Sequence, residues 1–226
     1  MSRELRTAYK DISSSYLKRK IVPWKDLVLF LDSLNLKEFS VILDVGSGNG
    51  RNIGVIQGTI RIAFDLSYEL LLGYCGPDDG QKVAGAGPNF PFRRNSIDII
   101  LAIAVIHHGR TDQIRLQFIK QMNSLLKENS EVIISVWRKW RPEMRFKILE
   151  KIKNKQNYQD LVDHNRPWKD EKSRTISTRF YHYYTFKELY FQLLESNFII
   201  EKYQFLGGKS RKDNIFVYCK NLQKTR

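Results

Sequence analysis

The run Val41-Ile42-Leu43-Asp44-Val45-Gly46-Ser47-Gly48-Asn49-Gly50-Arg51 decides the fold. An apolar, β-branched stretch that ends in an acid and breaks into alternating glycines reads as a buried parallel strand feeding a tight turn and a helix. Working outward, the alternation continues: strand 61–64, helix 68–74, strand 97–103, helix 112–126 and strand 131–137. Strands separated by helices imply right-handed crossovers and an open, doubly wound sheet. Ahead of it, 3–16 and 24–36 read as helices parted by Lys18-Arg19-Lys20 and by Pro23, which suits a first helical turn. Behind it come a charged helical stretch over 141–165, an amphipathic helix over 185–196, and two runs, 198–205 and 215–219, that read as a closing antiparallel pair.

The 226 residues, 42% hydrophobic and 12% aromatic, can enclose one sizeable core. A single domain over 1–226 is expected, with N-terminal helices in 1–39, a cofactor-binding core in 40–137, a basic insertion in 138–179 and a C-terminal helix and strand pair in 180–226. Pro77-Asp78-Asp79-Gly80 is a turn inside it. No apolar run reaches the roughly 18–20 residues that span a bilayer, and Met1-Ser2-Arg3-Glu4 lacks a signal peptide's apolar stretch, so a cytoplasmic location is expected. Cys75 and Cys219 have no Cys or His at ligand spacing, which argues against a metal site or a disulfide framework.

The net charge of +14 is unevenly spread. Lys and Arg outnumber Asp and Glu by seven to two over 1–25, thirteen to six over 138–179 and seven to two over 200–226. Basic flanks around a neutral centre fit either a solvated surface or a polyanion partner.

The glycine turn points to a nucleoside cofactor. Glycines let a ligand approach main-chain N–H groups, and the acid at the next strand end, Asp65, can accept ribose hydroxyls. Arg51 stands where a dinucleotide fingerprint has its third glycine. Asp44 suits a ligand that carries an ammonium and would repel a pyrophosphate. S-adenosylmethionine satisfies both points. The expected cofactor-binding residues are Asp44, Gly46, Ser47, Gly48, Asn49, Gly50, Asp65, Leu66, Ala86, Gly87, Ala102, Ile103 and His107. The run Ala102-Ile103-Ala104-Val105-Ile106-His107-His108 places small residues and two histidines at a strand's carboxyl edge, where His107 is expected to face substrate.

With these motifs in view, the chain resembles the tRNA wobble-uridine methyltransferases that esterify 5-carboxymethyluridine. The likeness rests on Ala8-Tyr9-Lys10-Asp11-Ile12, Pro23-Trp24, the glycine turn through Arg51, Ile103-Ala104-Val105-Ile106-His107-His108, Ser135-Val136-Trp137 and Arg179-Phe180-Tyr181-His182. It implies a class I, Rossmann-like fold, an open, mostly parallel seven-stranded sheet with an antiparallel last strand. It also implies a tRNA anticodon loop as substrate and a small zinc-ribbon activator protein as heterodimer partner. Segment 82–84 is, by analogy, a strand edge such a partner could complete. Where the family has an arginine, this chain has Lys20, and where the family has an acid against the adenine amine, it has Ala86.

A carboxylate acceptor is ionised at neutral pH and needs no general base. The expectation is therefore that Arg179, His182 and Lys20 position the carboxylate, while Tyr181 and Trp137 stack on the flipped base and His107 lies near the transferred methyl. Arg19, Lys20, Arg138, Lys139 and Arg141 are the expected RNA contacts, with Trp140, Tyr158 and Trp168 available to stack. A small-molecule methyltransferase and a non-catalytic RNA-binding protein on the same fold are the alternative readings. The absence of an Asn/Asp-Pro-Pro-aromatic turn after strand 97–103 speaks against amino-group methylation, and neither cysteine suits carbon-5 chemistry.

Overall fold

The computed structural model describes residues 3–139, 149–150, 152–154 and 161–222. Its frame is a seven-stranded sheet in the order β3-β2-β1-β4-β5-β9-β8. The strands are β1 (Phe39–Val45), β2 (Gly58–Asp65), β3 (Gln81–Ala84), β4 (Ile97–Ile103), β5 (Leu126–Trp137), β8 (Phe198–Leu206) and β9 (Asn214–Asn221). All neighbours pair in parallel except β9, which is antiparallel to both β5 and β8. The strand order reverses between β1 and β4, and in open α/β sheets ligands bind at that switch point.

Alternation explains the two cores. Ile99, Leu101 and Ile103 of β4 face one layer with Ile42, while Ile100 and Ala102 face the other with Leu43 and Val45. A central parallel strand is buried on both sides, so β4 is apolar at nearly every position. Ile99, Ile100 and Leu101 are fully buried; truncating any of them to alanine should cost about 2–5 kcal/mol.

The helices are α1 (Arg3–Arg19), α2 (Lys25–Leu31), α3 (Tyr68–Leu72), α4 (Asp112–Leu125) and α5 (Phe186–Glu195). α1 buries the stripe Leu5, Ala8, Ile12 and packs against α3 and the strand β7 (Thr175–His182). Side-chain oxygens of Ser67, Thr111 and Thr185 accept the amide protons of Leu70, Ile114 and Glu188, starting α3, α4 and α5 where N-caps should stand. α2 stops five residues before the expected end at 36, because the Ser33 hydroxyl donates to the Phe30 carbonyl at 2.6 Å and turns the chain.

Most of the expected helix over 141–165 lies outside the described residues, but 163–165 are strand. β6 (Asp163–Lys169) and β7 (Thr175–His182) form a separate antiparallel hairpin. That hairpin carries Trp168 and Arg179 over the carboxyl edge of the sheet, beneath α1.

Candidate active site

At the carboxyl edge lies a cavity of about 470 Å3. Its floor is the turn after β1. Gly46 has φ +70°, and a Cβ there would fall 2.5 Å from Cγ2 of Val105. Only glycine meets both demands. The Gly46 and Ser47 amides donate to the Phe64 carbonyl at 2.8 and 3.1 Å, tying the turn to β2.

Two buried carboxyls flank this floor. Asp65 accepts from Gly48 N at 2.7 Å and Ser67 N at 2.8 Å. Burial nonetheless raises it to about 6, with those amide donors opposing. Asp44 is raised further, to about 7, by burial first and by the Asp65 charge, against the nearby Ser47 side chain and Arg51. Oδ2 of Asp44 and Oγ of Ser47 are buried and make no hydrogen bond among the described residues. A buried acid with one oxygen unbonded, behind a turn that a Cβ would fill, suits a ligand cation placed over that turn. These features fit S-adenosylmethionine, whose ammonium Asp44 and whose ribose Asp65 would hold.

Of the expected cofactor residues, Gly46, Ser47, Gly48, Asp65, Leu66, Gly87, Ile103 and His107 line the cavity. Asp44, Asn49, Gly50, Ala86 and Ala102 do not. Asp44 sits behind the floor at 1% exposure. Asn49 turns away to donate to the Lys20 carbonyl at 2.6 Å. A Cβ on Gly50 would meet Tyr74 instead of the cavity, and Ala102 packs in the core with Leu43 and Ile100. On either side of Ala86, Gly85 and Gly87 form the wall.

Over the floor stands an aromatic and cationic wall from α1 and the β6–β7 hairpin. Two residues per repeat along β7 put Arg179 and Tyr181 on the cavity side and Phe180 and His182 on the other. The Arg179 guanidinium lies 4.8 Å from the Trp168 ring centroid, 5.2 Å from Tyr181 and 5.5 Å from Tyr9. Its Nε is buried with no hydrogen-bond partner, and no acid pairs with it among the described residues. Aromatic rings around the guanidinium supply no acceptor for its N–H groups, which stay available to a planar anion.

A directional chain holds the guanidinium. The Phe180 carbonyl can only accept, so Nδ1 of His108, 2.8 Å away, carries the proton. Nε2 of His108 then accepts from the Tyr9 hydroxyl at 3.0 Å, leaving the Tyr9 oxygen open to Nη1 of Arg179 at 3.5 Å. Burial pushes His108 down to about 4, with Arg179 adding to the effect, so it stays neutral.

Several expectations need correction. Trp137 and Tyr181 stack on each other at 4.2 Å and 9°, and the Arg166 guanidinium lies 5.1 Å over the Trp137 ring. With its ring so engaged, Trp137 meets the cavity as part of this stack instead of as an open platform for a base. His182 does not face the cavity: it lies 2.6 Å from both Asp163 and Glu188, which hold its pKa above the usual value against burial. Lys139 is only 6% exposed, so it offers RNA little surface. Arg141, Trp140 and Tyr158 lie outside the described residues. Lys20 does line the cavity, and burial together with Arg51, Arg179 and Arg19 lowers its pKa. Arg19 reaches the Lys169 carbonyl and Trp168, while Arg138 reaches the Lys212 carbonyl and Phe205.

Tyr9, Tyr16 and Arg51 also line the cavity, unforeseen from the sequence, and so does Trp168, which was expected only to stack on RNA. Tyr9 and Tyr16 stand seven apart and so share one face of α1, a signal that was present.

Comparison with known proteins agrees with this geometry. The methyltransferase domain family model matches residues 43–134. A tRNA (carboxymethyluridine(34)-5-O)-methyltransferase of Arabidopsis thaliana is 34% identical over 130 residues, covering 57% of this chain and 31% of that protein. One of the same description from Saccharomyces cerevisiae is 28% identical over 130 residues, covering 57% and 46%. The chain spans about a fifth to a third of the length of the first curated relatives it matches. Among solved structures, a SAM-dependent methyltransferase from Methanosarcina mazei superposes with TM-score 0.67 at 15% identity over 86% of this chain and 98% of its own. A chain from the complex between the Haloferax volcanii Trm112 methyltransferase activator and a putative methyltransferase gives 0.66 at 11% identity over 98% and 99%. At such identities these two likenesses speak for the fold alone. Sheet order and glycine turn agree with that match: residues 43–134 are similar to a methyltransferase domain, and the chain has the fold of the class I methyltransferases.

Proposed function

We propose that the chain methylates the carboxylate of a 5-carboxymethyl uridine at the wobble position of tRNA, acting with a small zinc-ribbon activator subunit. The observation that carries this reading is Arg179, a buried guanidinium set among the Trp168 and Tyr181 rings, lining the cavity and lacking an acidic partner among the described residues. An unpaired buried cation costs several kcal/mol, only part of which aromatic contacts offset. A substrate carboxylate completes it through two parallel N–H···O bonds.

When bound, S-adenosylmethionine supplies a methyl group on sulfonium; the carboxylate oxygen forms the new C–O bond as the C–S bond breaks to a neutral thioether. No proton has to move. That suits a wall whose histidine is held neutral by its hydrogen bonds and whose work is orientation. Arg179 aligns the acceptor, Tyr9 and His108 hold Arg179, and Lys20 and Arg51 add positive potential at the cavity. The Trp137–Tyr181 stack, with the His107 ring tilted against both, would exclude water from that side of the cavity.

The relatives described as carboxymethyluridine methyltransferases support the substrate, and the neighbour solved with an activator supports the partner. β3 is the sheet's edge strand, paired only with β2 among the described residues. Near it, Ile60, Tyr68 and Leu72 are 47%, 61% and 69% exposed. An open edge beside apolar side chains is a surface a partner strand can cover. The chain with its activator should methylate tRNA bearing carboxymethyluridine and leave unmodified tRNA unmethylated. Equal labelling of both would reject the proposed acceptor.

A further inference from the structure

The turn that joins β8 to β9 reads Gly207-Gly208-Lys209-Ser210-Arg211-Lys212-Asp213. Because β9 runs antiparallel to β5 with Asn214 opposite Trp137, this turn emerges at the carboxyl edge of the sheet. Gly208 and Asn214 form part of the cavity wall itself.

The turn's charge points outward. Lys209, Arg211 and Lys212 are exposed, whereas Asp213, its one acid, is 1% exposed and accepts from the Ser210 hydroxyl. Asp26, the nearest acid on the cavity wall, lies against Gly207. The shape is set before any ligand arrives. The Asp213 amide donates to the Gly207 carbonyl at 2.9 Å, and the Arg211 amide to the Gly208 carbonyl at 3.2 Å. Asn214 Nδ2 reaches the Leu206 carbonyl at 3.1 Å, and Arg138 holds the Lys212 carbonyl at 3.3 Å with its guanidinium 4.3 Å over Phe205. Gly208 is required here: φ is +71°, and a Cβ would meet Oδ2 of Asp213 at 2.0 Å. A preset cationic turn loses little conformational freedom on binding.

We infer that turn 207–213 grips the sugar-phosphate backbone of the RNA beside the nucleotide that enters the cavity. The inference rests on the tRNA reading above and gives it a contact site. A nucleotide swung into the cavity carries phosphates on both sides, and the strand must pass over the rim. Lys20 and Arg51 sit on the cavity wall as well, so cations from two separate segments border the same opening. Three charges whose own acid is turned inward suit closely spaced phosphates.

The test is the triple variant Lys209→Ala, Arg211→Ala, Lys212→Ala in the full chain, mixed with the activator. RNA affinity is read by fluorescence anisotropy over a salt series, and donor affinity by calorimetry. At about 0.7 per neutralised phosphate on single strands, the log–log salt slope should become shallower by about 2, and tRNA should bind roughly 10- to 100-fold more weakly at 0.15 M salt. Donor affinity should stay within about twofold, which certifies the fold. Wild type and variant binding tRNA with one affinity and one slope would overturn the inference while leaving the tRNA reading intact. Wild type failing to bind tRNA at any salt would remove that reading and the inference together. Polyglutamate displacing tRNA from the wild type at matched charge concentration would show a site for any polyanion and overturn the assignment to RNA.

Discussion

Acidifying the protein from pH 7 to pH 6 should weaken its hold on S-adenosylmethionine about tenfold. Burial raises Asp44 to about 7 and Asp65 to about 6 in the free protein, and if they hold the ammonium and ribose both must be ionised to do so. The ionised fraction of Asp44 falls from about one half to about one tenth over that unit, and that of Asp65 from about nine tenths to one half. Apparent affinity scales with the product, so the loss is about 1.4 kcal/mol. The ligand ammonium stays protonated throughout, which assigns the loss to the protein. Binding at pH 6 should also release about 1.4 protons, measurable by calorimetry in buffers of different ionisation enthalpy. Stability must move the opposite way. A raised carboxyl holds its proton in the folded state while the unfolded chain has lost it, so between about pH 4 and pH 7 Asp44 lowers stability as pH rises. Asp44→Asn should therefore gain stability relative to wild type as pH rises from about 4 to about 7, and lose donor affinity. Donor affinity that stays flat between pH 7 and 6, with no proton release, would refute the pairing of these acids with the cofactor.

Three further outcomes follow from the same geometry. Arg179→Lys keeps a charge but loses the planar fork, so kcat/KM for tRNA methylation should fall about 100-fold while donor affinity, read by calorimetry, stays unchanged. Gly46→Ala forces a Cβ against Cγ2 and Cβ of Val105, 2.5 and 2.8 Å away, at φ +70°, which should cost at least about 1–2 kcal/mol in urea unfolding, and adding Val105→Ala should not restore it, because the Cβ contact stays. Tyr9→Phe cuts the link between Arg179 and His108; it should lower stability by about 1 kcal/mol and reduce kcat more than it raises the donor KM, since the donor floor is untouched.

The parallel part of the sheet was legible because its rule is strong. Residues 41–45 and 97–103 are too apolar for anything but strands buried on both faces, and the glycines after Asp44 mark where the chain must turn. The β6–β7 hairpin was hidden. Asp163-His164-Asn165-Arg166-Pro167-Trp168-Lys169 mixes polar residues with a proline and leaves alternate positions only half buried, so no period-two signal marks it. That one omission explains the error at His182. Once 175–182 is known to be a strand, alternation alone separates Arg179 and Tyr181 from Phe180 and His182. His182 then takes the Asp163 and Glu188 carboxylates, a structural role that no local motif could announce. Similarly, Trp137 was legible as a cavity aromatic, but its partners Tyr181 and Arg166 come from a distant hairpin, and only tertiary packing reveals that they take up its ring faces. Lys139 shows the limit of charge counting: a basic residue in a basic stretch can still be buried.

The most direct test of the central claim is to incubate the chain and its activator with bulk tRNA and S-adenosylmethionine carrying an isotopic methyl, then digest the RNA and weigh its nucleosides. The account predicts label in one modified uridine, as a methyl ester that mild alkali strips off. Label held on a ring nitrogen or a ribose oxygen and resistant to alkali would contradict it.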